Sequence, residues 1–343
     1  MALSRPALVV ASIISILLLP ASSLPVLGDV SQGAMQALKL LAHNDFCWKE
    51  TTTVFAFGNS FTNVIGKTGS VFTWDNFNSP DSVTNNPIQA NASTAHGPNY
   101  IMYLTNCFEG LPQKCSPQLY DLAFGGATVN ASLIQPSQEY VIDFVQQVEN
   151  WEKYIKPSVT WEPFTTLTSI WFGINDIRQS LNQNDMSVTN LFKDVLTNYF
   201  NLVERLYGQG MRTFMFINVL PLERTPDGES NKELHSKRVS LFNRQLSSFA
   251  QEFSAKHLDV TVLFVDAHQY FSYILDHAAE YGIKNTTGYC ADYSKPDIDT
   301  NYANYGCLPL NQYFWLNDLH PMYPVHQQLA KDISAQLNKA SNC

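Results

Sequence analysis

Short apolar, β-favouring runs alternate along this chain with amphipathic helical stretches, and that alternation restricts the fold more than any other feature. The stretch from Thr51 to Ser60, with Val54, Phe55 and Phe57 before Gly58, reads as a buried strand. Leu167–Phe172, Thr213–Val219 and Val260–Val265 behave alike, and Gln118–Phe124 is a fifth candidate. Between and after them lie helical patterns at Glu139–Ile155, Val188–Tyr207, Asn231–His257 and Pro324–Asn338. In the third, Val239, Phe242, Leu246, Phe249 and Phe253 recur at steps of three and four, so one face is apolar. Strands that alternate with such helices predict an α/β chain whose parallel sheet is covered on both sides, with chemistry at the carboxyl ends of its strands.

The chain has 343 residues, enough for one large domain or two modest ones. No internal repeat and no Pro/Gly/Ser-rich linker divides it, and Gly66–Gly97, rich in Asn, Ser and Thr, reads as a long surface excursion. At the start, Arg5 precedes an apolar run from Ala7 to Leu19 that Pro20 closes, too short to span a bilayer. With small residues at Ala21 and Ser23, residues 1–23 read as a signal peptide, leaving 24–343 as a single domain. No later segment approaches the roughly eighteen apolar residues of a membrane span, so a secreted chain with no stable membrane anchor is expected.

Six cysteines, Cys47, Cys107, Cys115, Cys290, Cys307 and Cys343, suit an oxidising compartment, and no Cys-x-x-Cys spacing suggests a metal. Fifteen connectivities are open; the simplest pairs Cys107 with Cys115, Cys290 with Cys307 and Cys47 with Cys343. Asn91, Asn130 and Asn285 each begin an Asn-x-Ser/Thr sequon and are candidate glycan sites. A net charge of −9 gives no electrostatic footprint for nucleic acid.

Four short blocks carry groups suited to chemistry. Ser60 follows the first strand in Gly58-Asn59-Ser60, where a tight turn exposes its hydroxyl. A serine hydroxyl needs a base, and His320, in Asn317-Asp-Leu-His-Pro321, is the candidate. Gly125-Gly126 and Gly173-Ile-Asn-Asp176 are places where hydrogen-bond donors can meet a developing oxyanion. Taken singly, each block is an ordinary turn or helix cap.

Together and in this order, they resemble the SGNH hydrolases, also called the GDSL esterase and lipase family. The resemblance runs from about Thr51 to about Leu337 and matches Ser60, Gly126, Asn175 and His320 to the four residues of the family name. It implies a three-layer α/β/α sandwich with a parallel, flavodoxin-like sheet, and acyl transfer with no metal or organic cofactor. Ser60 would be the nucleophile and His320 the base; the Ser60 and Gly126 amides and the Asn175 carboxamide would form the oxyanion hole. The segments Gly97–Leu104, Tyr120–Thr128 and Phe314–Pro321 look like those of fungal secreted acetylesterases, implying small acetylated saccharides from hemicellulose as substrates.

Two residues depart from the family pattern. Asn59 stands where Asp is common, and Asn317 stands at the position, three before the histidine, that commonly carries a carboxylate. Either Asn317 accepts the imidazole N–H, or Asp318 swings in, or Ser60 and His320 act as a dyad with backbone support. Asn317 or a backbone carbonyl is favoured, because Asp318 is one residue along and projects elsewhere. Trp74, Tyr100, Phe124 and Trp315, with Tyr103, are candidate sugar-stacking or acyl-pocket aromatics. A lipase or phospholipase for longer acyl chains is the enzymatic alternative, and a weakened carbohydrate-binding relative the non-enzymatic one. No pair of acidic residues stands out for glycoside hydrolysis, and no Gly-x-Ser-x-Gly elbow is present.

Overall fold

The computed structural model describes residues 38–42, 46–64, 87–89, 93–182 and 184–343, all within one compact unit, Met35–Cys343. The expected signal segment, most of the 66–97 excursion, Trp74 and Asn91 lie outside the described residues.

Among the described residues, six strands form one sheet: β1 (Leu38–Ala42), β2 (Thr53–Gly58), β3 (Gln118–Asp121), β4 (Thr166–Trp171), β5 (Thr213–Ile217) and β6 (Thr261–Val265). Their spatial order is β1-β6-β5-β4-β2-β3, and β3-β2-β4-β5-β6 are parallel throughout. Every residue of β2 and of β4 is buried, which is why both read as unbroken strands in the sequence. The five central strands form the expected parallel sheet, and β1 adds to its β6 edge in the antiparallel sense. The five residues of β1, LKLLA, carry neither a long apolar run nor strict alternation.

The helices that cover the sheet are α1 (Tyr100–Thr105), α2 (Phe144–Asn150), α3 (Ile174–Gln179), α4 (Asp185–Gly208), α5 (Lys232–Lys256), α6 (Ala267–Asp276) and α7 (Tyr323–Ala340). Helix α4 packs on α2 and α5, whereas α7 packs on α1 and α6, giving a layer on each side. The helix expected at Glu139–Ile155 starts later, at Phe144. Asp143 accepts from the Gln146 amide while Gln146 reaches back, a capping box that fixes the first turn there. No helix among the described residues is long and apolar enough to cross a membrane.

The chain closes on itself through Cys47–Cys343, with local bridges Cys107–Cys115 and Cys290–Cys307, the simplest of the open pairings. Beside the first bridge, the Trp48 amide donates to Ser341 Oγ and the Asn342 amide to the Phe46 carbonyl.

The strand order has a functional consequence. The connection from β2 runs to β3 on one side, and the next strand, β4, lies on the other, so the order reverses between β2 and β4. A crevice opens at such a reversal, outside the carboxyl ends of the strands.

Candidate active site

Ser60 stands two residues beyond β2, and several side chains fix the turn that carries it. Gln147 of α2, fully buried, accepts from the Gly58 amide (3.0 Å) and donates to the Gly58 carbonyl (2.9 Å). Asn59 Oδ1 accepts from the Phe61 amide, and Asn59 Nδ2 donates 3.2 Å to the Trp171 carbonyl at the end of β4. Asn59 thus ties the two strands that flank the crevice, its amide supplying both an acceptor and a donor where a carboxylate would supply acceptors alone. Thr94 Oγ1 donates to the Ser60 carbonyl, and Asn99 Nδ2 holds the carbonyls of Thr62 and Asn63 while its Oδ1 caps α1.

His320 arrives from the opposite end of the chain. The 314–322 segment folds back on itself: the Leu316 amide meets the His320 carbonyl, and the Met322 amide the Phe314 carbonyl. Asn317, near its tip, makes an Asx turn in which Oδ1 accepts from the amides of Leu319 (3.0 Å) and His320 (2.9 Å). Those two donors identify the atom as oxygen. His320 Nδ1, 3.1 Å from the same oxygen, must therefore carry the proton, leaving the Nε2 lone pair 2.7 Å from Ser60 Oγ. The Ser60 hydroxyl donates into that lone pair. Phe61 packs against the imidazole, with ring centroids 5.0 Å apart.

Among the described residues, Asn317 and no carboxylate is bonded to His320 Nδ1. Asp318 is exposed, and its carbonyl accepts from the Asp227 amide (2.9 Å). The Asp227 carboxylate in turn binds Arg178 of α3 at 3.0 Å. Although part of His320 reaches solvent, burial of its ring and the positive charge of Arg178 push its pKa down to about 3. Both effects favour the neutral ring.

Gly126 and Asn175 follow β3 and β4, the two strands that pair with β2 on either side. The 124–127 turn starts where the Phe124 amide bonds the Gly58 carbonyl, and a Cβ on Gly125 would lie 3.9 Å from Ser60 Cβ. Gly126 has φ +86°, which favours glycine. Helix α3 starts behind Gly173, at φ +115°, where a Cβ would strike Phe242 and Val219. Asn175 Nδ2 gives one hydrogen to the Ala127 carbonyl at 2.9 Å, which orients the other. Among the described residues, the amides of Ser60 and Gly126 donate to no protein acceptor. A hydroxyl bonded to an imidazole is a group that can attack a carbonyl, and free backbone amides and a carboxamide at neighbouring strand ends are donors of the kind that stabilise an oxyanion.

Of the aromatic residues singled out in the sequence, Tyr103 is half-buried and three others are core. Tyr100, Phe124 and Trp315 are each 0–1% exposed, so as a sugar platform they are corrected to core. Tyr100 OH is satisfied by Ser169 and Thr62, and Trp315 Nε1 by the Thr286 carbonyl. A Tyr or Trp buried with its polar atom paired is an ordinary core residue. Asn130 is half-buried with its amide on Asn198, and Asn285 folds its Oδ1 onto the amides of Thr287 and Gly288. Sequence reasoning missed Gln147, Arg178 and Asp227, which position the site from other elements; no local motif marks them. Asp176, adjacent to Asn175, was visible only as half of an Asn-Asp pair. Among the described residues no group of three or more His, Cys, Asp or Glu is arranged to hold a metal.

Residues 54–333 match the model of the GDSL-like lipase/acylhydrolase family. An acetylesterase from Thermothelomyces thermophilus is 26% identical over 299 residues, covering 84% of this chain and 89% of the relative. A thermolabile hemolysin from Vibrio parahaemolyticus is 21% identical over 275 residues, 75% of this chain and 62% of that protein. Among solved structures, an acetyl xylan esterase from Geobacillus stearothermophilus matches at 14% identity and TM-score 0.43, covering 83% of this chain and 94% of the other. These structural likenesses are distant, and the fold stands on the strand order described above.

Proposed function

This chain belongs to the GDSL-like lipase/acylhydrolase family and is a carboxylic ester hydrolase; from that premise we propose that it removes acetyl groups from small saccharides by acyl transfer through Ser60. One observation carries the reading: a neutral imidazole Nε2 sits 2.7 Å from Ser60 Oγ, its lone pair facing the hydroxyl.

Ser60 Oγ attacks the ester carbonyl as His320 Nε2 takes its proton. The carbonyl oxygen, gaining charge, is met by the amides of Ser60 and Gly126 and by Asn175 Nδ2. His320 then returns the proton to the departing sugar hydroxyl, and the C–O bond breaks to leave acetyl-Ser60. Water, deprotonated by His320, attacks that ester, and acetate leaves as the proton returns to Ser60. Asn317 holds the imidazole in its Nδ1–H tautomer through these steps. Its neutral amide orients the ring without the electrostatic support a carboxylate would give imidazolium.

The acetyl and saccharide preferences draw support from the similarity to the acetylesterase of T. thermophilus. Secretion draws support from the sequence of residues 1–23 and from three disulfides. An acyl-chain series of p-nitrophenyl esters, with acetylated xylo-oligosaccharides in parallel, tests the substrate reading. Hydrolysis should fall steeply beyond acetate, and acetate should appear from the oligosaccharide. A rate that rises with chain length would instead identify a lipase.

A further inference from the structure

We propose that Asp176 is the positioning residue of the oxyanion hole: its buried carboxyl clamps the 125–129 loop to α3, so that the Gly126 amide and the Asn175 carboxamide face one point. The inference rests on the acyl-transfer reading above and goes beyond it to a residue that touches no substrate.

The clamp has two rungs. Asn175 Nδ2 binds the Ala127 carbonyl at 2.9 Å, and Asp176 Oδ1 accepts from the Val129 amide at 3.0 Å. Neighbours on α3 thus grip alternate residues of the loop that carries Gly126. The Thr128 carbonyl between them is taken by the Phe144 amide, which anchors the loop to α2 as well. The second rung fixes the first: with Val129 released, Asn175 would pivot with Ala127 and its free hydrogen would leave the hole.

A carboxyl is a costly choice for a simple spacer. Asp176 is fully buried, and its Oδ2 has no hydrogen-bond partner among the described residues. The charged groups of the surroundings do not neutralise it. Asp143, at the start of α2, adds repulsion; Arg178 is engaged by Asp227; His320 is neutral. Burial pushes the carboxyl up to about 7, against the pull of nearby backbone amides. Below that pH it is a neutral acceptor for Val129. Above it, a negative charge stands behind Asn175 and opposes the charge that grows on the carbonyl oxygen.

Wild type, Asp176→Asn, Asp176→Ala and Asn175→Ala should be assayed on p-nitrophenyl acetate across pH, with circular dichroism to verify folding. Asp176→Ala should lower kcat about 10- to 100-fold with KM within about threefold, because the loss is of transition-state alignment. Asp176→Asn keeps the acceptor and should restore kcat to within about threefold of wild type, and its kcat should not fall above pH 7 where that of wild type does. If Asp176→Ala fails to fold, the pH profiles of wild type and Asp176→Asn decide: identical profiles overturn the proposal. Wild-type kcat in folded Asp176→Ala, or equal damage in both Asp176 variants, also overturns it. An unimpaired Asn175→Ala would remove the oxyanion reading itself, and this inference with it.

Discussion

Asn317 Oδ1 lies 3.1 Å from His320 Nδ1 while it accepts two backbone amides, so the third place of the site is held by a neutral amide whose oxygen faces the ring. This arrangement fixes the imidazole tautomer and leaves the ring without an anionic neighbour. Combined with burial and Arg178, it accounts for a base whose pKa lies near 3.

The pH dependence follows with a definite sign. His320 accepts a proton only when neutral, so the acid limb of kcat/KM should lie far below pH 6, near the acid edge of folding. Asn317→Asp places a carboxylate beside Nδ1, favours imidazolium and should move that limb upward by about one to three units. The pH profile of p-nitrophenyl acetate hydrolysis checks both. A wild-type limb near 6.5 would contradict the account.

Loss of a single oxyanion donor should be visible in kcat. Asn175→Ala should reduce kcat by about 10²–10³ with little change in KM. Steady-state kinetics with acetate esters measures this, and a pure KM effect would assign Asn175 to ground-state binding instead.

Asn59 is the residue where the sequence departs from Gly-Asp-Ser, and its two hydrogen bonds give the physical reason. Asn59→Asp turns the donor facing the Trp171 carbonyl into a second acceptor. Stability should fall by about 1–3 kcal/mol, read from denaturant unfolding. An unchanged midpoint would show that the β2–β4 tie contributes nothing.

The Cys47–Cys343 bridge joins residues 296 apart in sequence, ahead of β2 and beyond α7, and touches neither Ser60 nor His320. Replacing both cysteines by serine should cost about 2–4 kcal/mol while kcat on acetate esters stays within about twofold. Equal loss of activity and stability would indicate that the termini help to shape the site.

Much of this molecule is legible in its sequence because the central strands are buried on both faces. Thr53–Gly58 and Thr166–Trp171 could not be amphipathic, so apolar runs mark them directly. Ser60, Gly126 and Asn175 follow β2, β3 and β4, and His320 follows them in chain order, which made the four readable as a set. Short elements were less visible. Helices α1 and α6 are announced mainly by their caps, Asn99 and Asp266, each of which accepts from an amide three residues on. Aromatic identity says nothing about which way a ring faces, and Tyr100, Phe124 and Trp315 are buried. Gln147, Arg178 and Asp227 were illegible because their partners come from other elements, and only the fold brings them together.

The most direct measurement is mass spectrometry of the enzyme after treatment with a fluorophosphonate, with Ser60→Ala in parallel. The account predicts one covalent adduct, on Ser60, complete inactivation of the labelled enzyme, and a fall in kcat of about 10⁴ or more in Ser60→Ala. An adduct on any other residue, or ester hydrolysis at the wild-type rate by Ser60→Ala, would contradict it.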